Sequence, residues 1–315
     1  MKNSTKLFFA VLPMAFFVTI ACNGIANLTE GQPYLTKEFT INTPGELEVE
    51  TSGGSIDVSS HQGNKVRVEM FVRKGGRSFD PGDDQAAEAL EEFEIEIRQS
   101  GNTVIASAER EGNNWFNNNN NISISFKVFV PKQMSCDLNT SGGSIKLNGV
   151  VGDQEVKTSG GSLNLDNIEG DMEARTSGGS INIENYAGTL DASTSGGSIK
   201  LMDATGDLSL STSGGSINLE GIQGSLTAST SGGGIRANLS SLEKQLRLST
   251  SGGSITAVVP NGLGLDLDLK GNRVNTKLSN FDGEVEKDRI IGSVNGGGIP
   301  VVMSTSGGTV NLEYK

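Results

Sequence analysis

A tetrapeptide, Thr-Ser-Gly-Gly, recurs nine times in this 315-residue chain, and its spacing constrains the fold more than any other feature. From Thr140 to Thr230 the motif returns every 18 residues, and the next copy begins 20 residues later, at Thr250. A fixed period of this size is typical of solenoids, in which each unit stacks on the one before it. The nine copies begin at Thr51, Thr140, Thr158, Thr176, Thr194, Thr212, Thr230, Thr250 and Thr305. The sequence therefore predicts one structural coil per period.

Each period contains two stretches in which apolar and polar residues alternate. In the period that begins at Thr176, Ile181 and Ile183 alternate with polar neighbours, as do Leu190 and Ala192. Alternation with a period of two predicts β-strands that bury one face. The strands are separated by glycine-containing segments, which suit tight corners because glycine adopts positive φ without a steric penalty. Each coil is thus predicted to have two main strands and two turns.

Stacked coils align equivalent positions, so the inward side chains are expected to form columns. The first strand gives the columns Ile145, Leu163, Ile181, Ile199, Ile217, Ile235 and Leu147, Leu165, Ile183, Leu201, Leu219. The second strand gives Leu190, Leu208, Leu226 and Leu246. Cys136 falls in register with this last column, so we predict a small core residue rather than a reactive thiol. The predicted fold is all-β: a β-solenoid, like a parallel β-helix or β-roll, of about 18-residue coils with β-rich capping segments and at most one short helix.

The segments on either side of the regular block are also β-rich. Alternation predicts further strands over residues 46–50, 65–72, 93–97, 122–130 and 263–269. The composition of residues 83–90 predicts one short helix, and the Asn-rich stretch around Trp115 and Phe116 predicts a loop. The predicted organisation is a lipoprotein signal peptide over residues 1–21, a tether over 22–35, an N-terminal β-rich segment over 36–139, regular repeats over 140–260 and a C-terminal β capping segment over 261–315.

The N-terminus has the layout of an export signal. Lys2 and Lys6 precede an apolar run from Leu7 to Ile20, which is too short to span a bilayer. Cys22 then follows a small residue, an arrangement that resembles the lipobox of bacterial lipoproteins, in which the cysteine thiol is diacylated. The alternative is an ordinary cleaved signal with an incidental cysteine. We predict lipid attachment at Cys22, because two acyl chains hold a protein stably at a membrane and one does not.

The net charge bears on compartment and partners. Removing residues 1–21 takes two of the 25 basic residues and none of the 37 acidic ones, which leaves a net charge of −14. Such acidity argues against nucleic acid and against direct binding to anionic lipid. Once Cys22 is acylated, Cys136 is the only thiol, so no intramolecular disulfide is expected. Asn23 is not the acidic residue linked to inner-membrane retention in enteric bacteria, which favours an outer-membrane anchor with either face exposed.

Several segments together resemble a known family. They are the entry from Glu46 through the first Ser-Gly-Gly-Ser-Ile, then Phe129-Val130-Pro131-Lys132, the tandem repeats, and the glycine-rich ending from Asp282-Gly283 to the final Ser-Gly-Gly strand. Over roughly residues 35–315 the chain resembles the bacterial β-strand repeat family of unknown function whose members are labelled candidate adhesins. The resemblance implies a β-solenoid-like fold at the cell envelope, and it brings no catalytic or ligand residues.

Metal and transferase readings of the repeat are not favoured. Calcium-binding β-rolls place an aspartate in every Gly-Gly-x-Gly-x-Asp repeat, whereas the corresponding places after Gly142 are held by Ile145 and Leu147. Left-handed acyltransferase helices also use 18 residues per coil, but as three hexads with one aliphatic residue each. The chain instead places its aliphatic residues in two unequal pairs. We predict no metal and no cofactor.

Catalytic residues are hard to find in the sequence. The single histidine, His61, lies in a predicted turn without an evident nucleophile or carboxylate partner. Glu155, Glu173 and Asp191 stack at equivalent outward positions, as the carboxylates of a polysaccharide lyase or hydrolase would. However, Lys157 and Arg175 lie beside them, and the ladder continues as serine and threonine. A solvated, self-neutralising face is therefore the preferred interpretation.

A second outward ladder is rich in hydroxyl and amide groups. Its serines are Ser144, Ser162, Ser180, Ser198 and Ser216, and they are flanked by Lys146, Asn164, Asn182, Lys200 and Asn218. Such a strip could hydrogen-bond sugars or a protein, or it could be simple surface; ice binding is disfavoured by the interleaved lysines. Trp115 and Phe116 could stack on a glycan ring or tuck beneath the fold.

The leading hypothesis is a non-catalytic, lipid-anchored envelope protein whose repeat surface binds an envelope protein or a glycan. The alternative is a carbohydrate-active enzyme on a β-helix. A groove with converging carboxylates would favour the enzyme, whereas flat ladders would favour display. A role in sensing or buffering envelope stress cannot be separated from the first hypothesis by sequence.

Overall fold

A computed structural model describes residues 31–110 and 122–315, which contain 25 β-strands and a single α-helix. The strands form one mostly parallel, open sheet system, which confirms the predicted β-solenoid fold. Cys22 and the aromatic pair Trp115 and Phe116 lie outside the described residues. Within that described part of the chain, no helix is long and apolar enough to cross a membrane.

The N-terminal third contains eight strands and the helix. They are β1 (Leu35–Thr40), β2 (Gly45–Thr51), β3 (Ile56–His61), β4 (Lys65–Lys74), β5 (Arg77–Ser78), α1 (Asp84–Leu90), β6 (Phe93–Ser100), β7 (Thr103–Arg110) and β8 (Ile122–Pro131). The short helix is confirmed, and Asp83 caps its N-terminus by accepting a hydrogen bond from Gln85 N–H.

The regular block follows. Its strands are β9 (Met134–Thr140), β10 (Ile145–Asn148), β11 (Gln154–Thr158), β12 (Leu163–Glu169), β13 (Met172–Thr176), β14 (Ile181–Thr194), β15 (Ile199–Thr212), β16 (Ile217–Thr230), β17 (Ile235–Leu239), β18 (Leu246–Thr250) and β19 (Ile255–Val259). The three 14-residue strands run through a corner, so each belongs to both of the main stacks described below.

The C-terminal strands are β20 (Leu265–Lys270), β21 (Arg273–Thr276), β22 (Phe281–Val285), β23 (Arg289–Val294), β24 (Ile299–Thr305) and β25 (Thr309–Tyr314). β20, β23 and β22 pair antiparallel at this end of the sheet system, whereas β24 and β25 pair parallel with the regular block. The domain boundaries drawn from the sequence stay predictions.

Two parallel stacks of strands form the main faces of the solenoid. The strands that follow the Thr-Ser-Gly-Gly motifs make the first stack, here called the serine face, and the strands that lead into the motifs make the second, here called the acidic face. Equivalent residues pair directly from coil to coil, as in Ile181↔Ile199 on the serine face and Leu190↔Leu208 on the acidic face. The predicted core columns are buried between the two faces.

The order of coils in space differs from their order in the sequence. The first motif coil, made by β2 and β3, packs directly against the coil of β9 and β10. At the other end, β24 and β25 pack on β18 and β19, while β20 and β21, which come earlier in the chain, lie outside them. All nine motifs therefore stand in one uninterrupted column, although three of the nine lie next to long insertions in the sequence.

Each regular coil has a third, short side that the alternation pattern did not reveal. Between the two main strands one more side chain per coil points inward and is buried, namely Val150, Ile168, Tyr186, Ala204, Ile222 and Leu239. This side begins at a residue with positive φ, such as Asn185 at 54°, and ends at a glycine such as Gly188 at 145°. The prediction of two turns per coil was therefore wrong by one corner.

Candidate binding surfaces

The corner column, made by the nine Thr-Ser-Gly-Gly motifs, is held by one repeated hydrogen-bond pattern. Thr158 Oγ1 donates to the carbonyl of Gly143 in the preceding coil at 2.8 Å and accepts from Gly161 N–H at 3.2 Å. The same donation to a glycine recurs in every later copy, whereas Thr51 donates to the carbonyl of Ile124. The threonines are all buried. They serve the fold and are not available to a ligand.

The second glycine of each motif lies against the backbone of the neighbouring coil. A Cβ atom at Gly161 would lie 1.9 Å from the carbonyl oxygen of Gly143, a distance that no side chain can occupy. The first glycine is less restricted, since a Cβ at Gly160 would lie 3.5 Å from the carbonyl oxygen of Gly142. The motif is thus largely explained by close stacking of backbones.

The serine strip, formed by Ser144, Ser162, Ser180, Ser198 and Ser216, is also part of this bonding. Ser180 Oγ accepts a hydrogen bond from the N–H of Ser198 in the next coil at 3.2 Å, and the other rungs repeat the contact. Each hydroxyl proton is left to donate outward, because the bond uses only an acceptor position. The strip therefore offers one donor per coil, at intervals of about 4.8 Å.

Beside the serine strip runs a column of longer polar side chains, Lys146, Asn164, Asn182, Lys200 and Asn218, here called the amide–lysine column. Asn182 Nδ2 donates to Asn164 Oδ1 at 3.1 Å, which aligns two amides along the column. Most of this column is solvent-exposed. Together the two columns make a flat surface with repeated donors and acceptors.

The acidic face carries a longer carboxylate ladder than the repeats alone indicated. Because the first coil stacks on the regular block, Glu48 and Asp137 extend the ladder of Glu155, Glu173 and Asp191 to five consecutive rungs. The pairing across long insertions is what sequence reasoning missed. A second acidic column, with Glu46, Asp153 and Asp171, runs beside the first and lines a groove of about 530 Å³ with it.

Cations neutralise only part of this ladder. Lys157 contacts Glu155 and lies 3.2 Å from Glu173, and Arg175 lies 2.8 Å from Glu173 and 3.3 Å from Asp191. The predicted self-neutralising pattern is confirmed at these rungs. Burial, together with the charge of Glu155, raises the pKa of Asp137, and Lys157 offsets part of that rise.

The ladder is most crowded near its first rung. Burial and the neighbouring carboxylates of Glu109 and Asp137 raise the pKa of Glu50. Unlike charges are therefore scarcest where the coil of β2 stacks on that of β9. This end of the groove holds the carboxyl groups with the most perturbed protonation on the face.

The remaining sequence candidates have structural positions. His61 lies at the turn between β3 and β4, and its two ring nitrogens contact the carbonyl oxygens of Gln62 and Lys65 at 2.7 Å. Cys136 is 3% exposed, and burial raises the pKa of its thiol, so the prediction of a core residue is confirmed. Over residues 31–110 and 122–315, no group of three or more His, Cys, Asp or Glu side chains is placed to hold a metal ion.

The stacked coils define the class of this protein, an open parallel β-solenoid with ladder-like faces. The chain belongs to the Toastrack DUF4097 family, whose model matches residues 42–313. A comparison with curated proteins finds no match.

Two solved structures are similar over most of the chain. One is a candidate adhesin from Bacteroides fragilis, 14% identical, with 91% of this chain and 100% of that chain covered and a TM-score of 0.41. The other is a candidate cell adhesion protein from Clostridium sporogenes, 11% identical, with 90% and 100% covered and a TM-score of 0.21. The fold assignment rests on the family match and on the strand pairing.

Proposed function

We propose that this protein is a non-catalytic lipoprotein of the bacterial cell envelope, anchored through Cys22, whose serine face binds a glycan or an envelope protein. The observation that carries the proposal is the single column of nine motifs. It makes the serine face continuous from the first coil to the last, so that the same polar groups recur at every rung. The adhesin labels of the two similar structures point in the same direction but carry no weight of their own.

A repeated surface of this kind suits a repeated partner. Each rung offers a weak hydrogen-bonding contact, and a polymer that engages several rungs gains affinity because later contacts form at high effective concentration. The flatness of the surface allows a chain to lie along the stack. Outer-membrane attachment through Cys22 would place this face where envelope polymers are found; loss of labelled palmitate in Cys22→Ala tests the anchor itself.

The direct test is binding of the detergent-purified full chain to a glycan and envelope-extract panel, with polysaccharide breakdown scored in the same wells. The informative variant is Asn164→Ala with Asn182→Ala, because these amides bond to each other and not to the backbone. We expect binding without turnover, weakened about tenfold by the double change. The matched control is Asn139→Ala, an exposed amide on the acidic face. Equal binding by all variants would contradict the assignment to the serine face.

A second candidate function is favoured by the acidic groove. Carboxyl groups of unequal pKa on one surface are what a glycoside hydrolase or a polysaccharide lyase needs for acid and base roles. If the panel shows breakdown of a polysaccharide that Asp137→Asn abolishes and the serine-face double variant leaves unchanged, the protein is an enzyme and the proposal above is wrong.

A further inference from the structure

The end of the serine face contains a cleft that the repeats do not form. β21 pairs with β25 from Arg273↔Thr309 to Thr276↔Leu312 and then stops. β25 continues to Tyr314 with β19 as its partner, through Val259↔Tyr314. Residues 277–279 turn away from the sheet at this point. The result is a cleft of about 780 Å³ over the end of β25.

The cleft has an apolar floor and a polar rim. Val294 and Leu312 are buried, and Leu263 and Leu278 are half-buried. The rim carries three asparagines and the exposed Glu313; the asparagines are Asn275, Asn295 and Asn311. Its volume lies within the range of about 300–1,000 Å³ that small-molecule sites occupy, and an apolar lining with a few convergent polar groups is their usual composition.

The rim amides are held in fixed orientations. Asn275 Nδ2 donates to Asn311 Oδ1 at 2.9 Å, and Asn311 Nδ2 donates to Thr256 Oγ1 at 3.2 Å. Asn295 Nδ2 donates to the carbonyl of Leu263 at 3.0 Å. An amide has two donors and an acceptor oxygen with two lone pairs, so each keeps capacity for a further bond. The rim therefore presents oriented donors and acceptors and loses little side-chain freedom when a ligand binds.

Two hydroxyl groups in the cleft wall have unused hydrogen-bonding capacity. Thr276 Oγ1 and the Tyr314 hydroxyl are both buried, and neither has a partner of good geometry within the described part of the chain. Burial raises the pKa of Tyr314, and the nearby Thr276 hydroxyl offsets part of the rise, so the phenol is a proton donor at neutral pH. Buried hydroxyl groups without partners are uncommon and call for an explanation, such as a bound group that satisfies them.

We propose that this cleft binds one ring of a neutral saccharide. A pyranose ring combines apolar C–H faces with hydroxyl groups that both donate and accept around its edge, and the cleft combines an apolar floor with amide, carboxylate and hydroxyl groups at its rim. The tyrosine ring supplies a flat surface for the C–H face. β1, near the start of the described chain, and β21 lie at opposite ends of the serine face, so the cleft is remote from the chain's entry point.

The test is saturation-transfer NMR of the detergent-purified full chain with maltotriose, cellotriose and chitotriose as probes, followed by titration of any trisaccharide that gives a signal. Tyr314→Phe and Thr276→Val each remove one hydroxyl and preserve shape. We expect each variant to lower the affinity about five- to tenfold. Neither change should lower the thermal midpoint, because each removes a buried hydroxyl that has no partner. Tyr34→Phe, at the opposite end of the serine face, is the matched control and should bind as the wild type does.

Three outcomes would overturn the proposal. One is the absence of a signal from all three trisaccharides. Another is a signal that Tyr314→Phe and Thr276→Val leave unchanged but Asn164→Ala with Asn182→Ala removes, which would assign sugar binding to the serine face instead. The third is binding of the extended peptide Val-Thr-Val-Thr-Val-Thr in place of any trisaccharide, which would assign the unpaired edge of β25 to strand addition. The proposal does not depend on the serine face, so either can fail alone.

Discussion

The two corners that bound the serine-face strand obey different rules. At the Thr-Ser-Gly-Gly corner every coil has the same residues, because a buried threonine hydroxyl and a glycine in contact with the neighbouring backbone are both required. At the opposite corner the chain requires only a residue with positive φ. The five equivalent positions there are held by Gly149, Asn167, Asn185, Asp203 and Gly221.

The difference separates a requirement for space from one for backbone conformation. Where two backbones approach closely, no side chain fits and only glycine is found. Where the backbone must adopt a left-handed conformation, Asn and Asp are tolerated alongside glycine. Substitutions within one coil, from Thr158 to Asn167, can test the distinction without changing the rest of the solenoid.

The largest effect is expected at the second glycine of the motif. Gly161→Ala would bring a Cβ atom within 1.9 Å of a carbonyl oxygen, so the neighbouring coils must separate. We expect a loss of about 3 kcal/mol or more in the free energy of unfolding, measured by urea denaturation with far-UV circular dichroism. Gly160→Ala in the same motif, with 3.5 Å available, should cost less than about 1 kcal/mol. Equal costs for the two alanines would refute the account based on close approach.

An intermediate effect is expected at the motif threonine. Thr158→Val keeps the shape of the side chain but removes the hydroxyl, which leaves the carbonyl of Gly143 and the N–H of Gly161 without this partner. We expect destabilisation of about 1–3 kcal/mol in the same urea assay. Thr158→Ser keeps the hydroxyl and should recover most of the loss, while Ser159→Ala, on the exposed neighbour, should change little. A valine variant as stable as the wild type would show that the hydroxyl is dispensable.

The repeat is the reason that much of this fold could be predicted from the sequence. Translation by 18 residues superposes identical positions, so Ile181 and Ile199 had to share a column if the coils stacked at all. The short third side was missed because it contributes one inward residue per coil, too few to produce an alternation. A comparison of the periods at equivalent positions would have shown its signal, since Ile168, Tyr186 and Ile222 are all apolar.

The ends of the solenoid could not be predicted in the same way. That the coil of Thr51 stacks on that of Thr140 depends on pairings such as β3 with β8 and β4 with β8, which join distant segments and have no common period. The extended acidic ladder follows from this stacking. The C-terminal cleft depends on β21 ending before β25 does, which the residue pattern does not determine.

The smallest effect is expected at the opposite corner. Asn167 has a φ of 54°, and its Nδ2 donates to Asp166 Oδ2 at 3.0 Å. Alanine at this position would have to hold a left-handed conformation without the local hydrogen bond that helps asparagine to do so, and we expect Asn167→Ala to cost about 1 kcal/mol. Asn167→Gly removes the same hydrogen bond but relieves the conformational penalty, so it should lie within about 0.5 kcal/mol of the wild type. Urea midpoints of the two variants decide the matter. If glycine were as costly as alanine, the side-chain hydrogen bond, and not backbone conformation, would be what this corner selects.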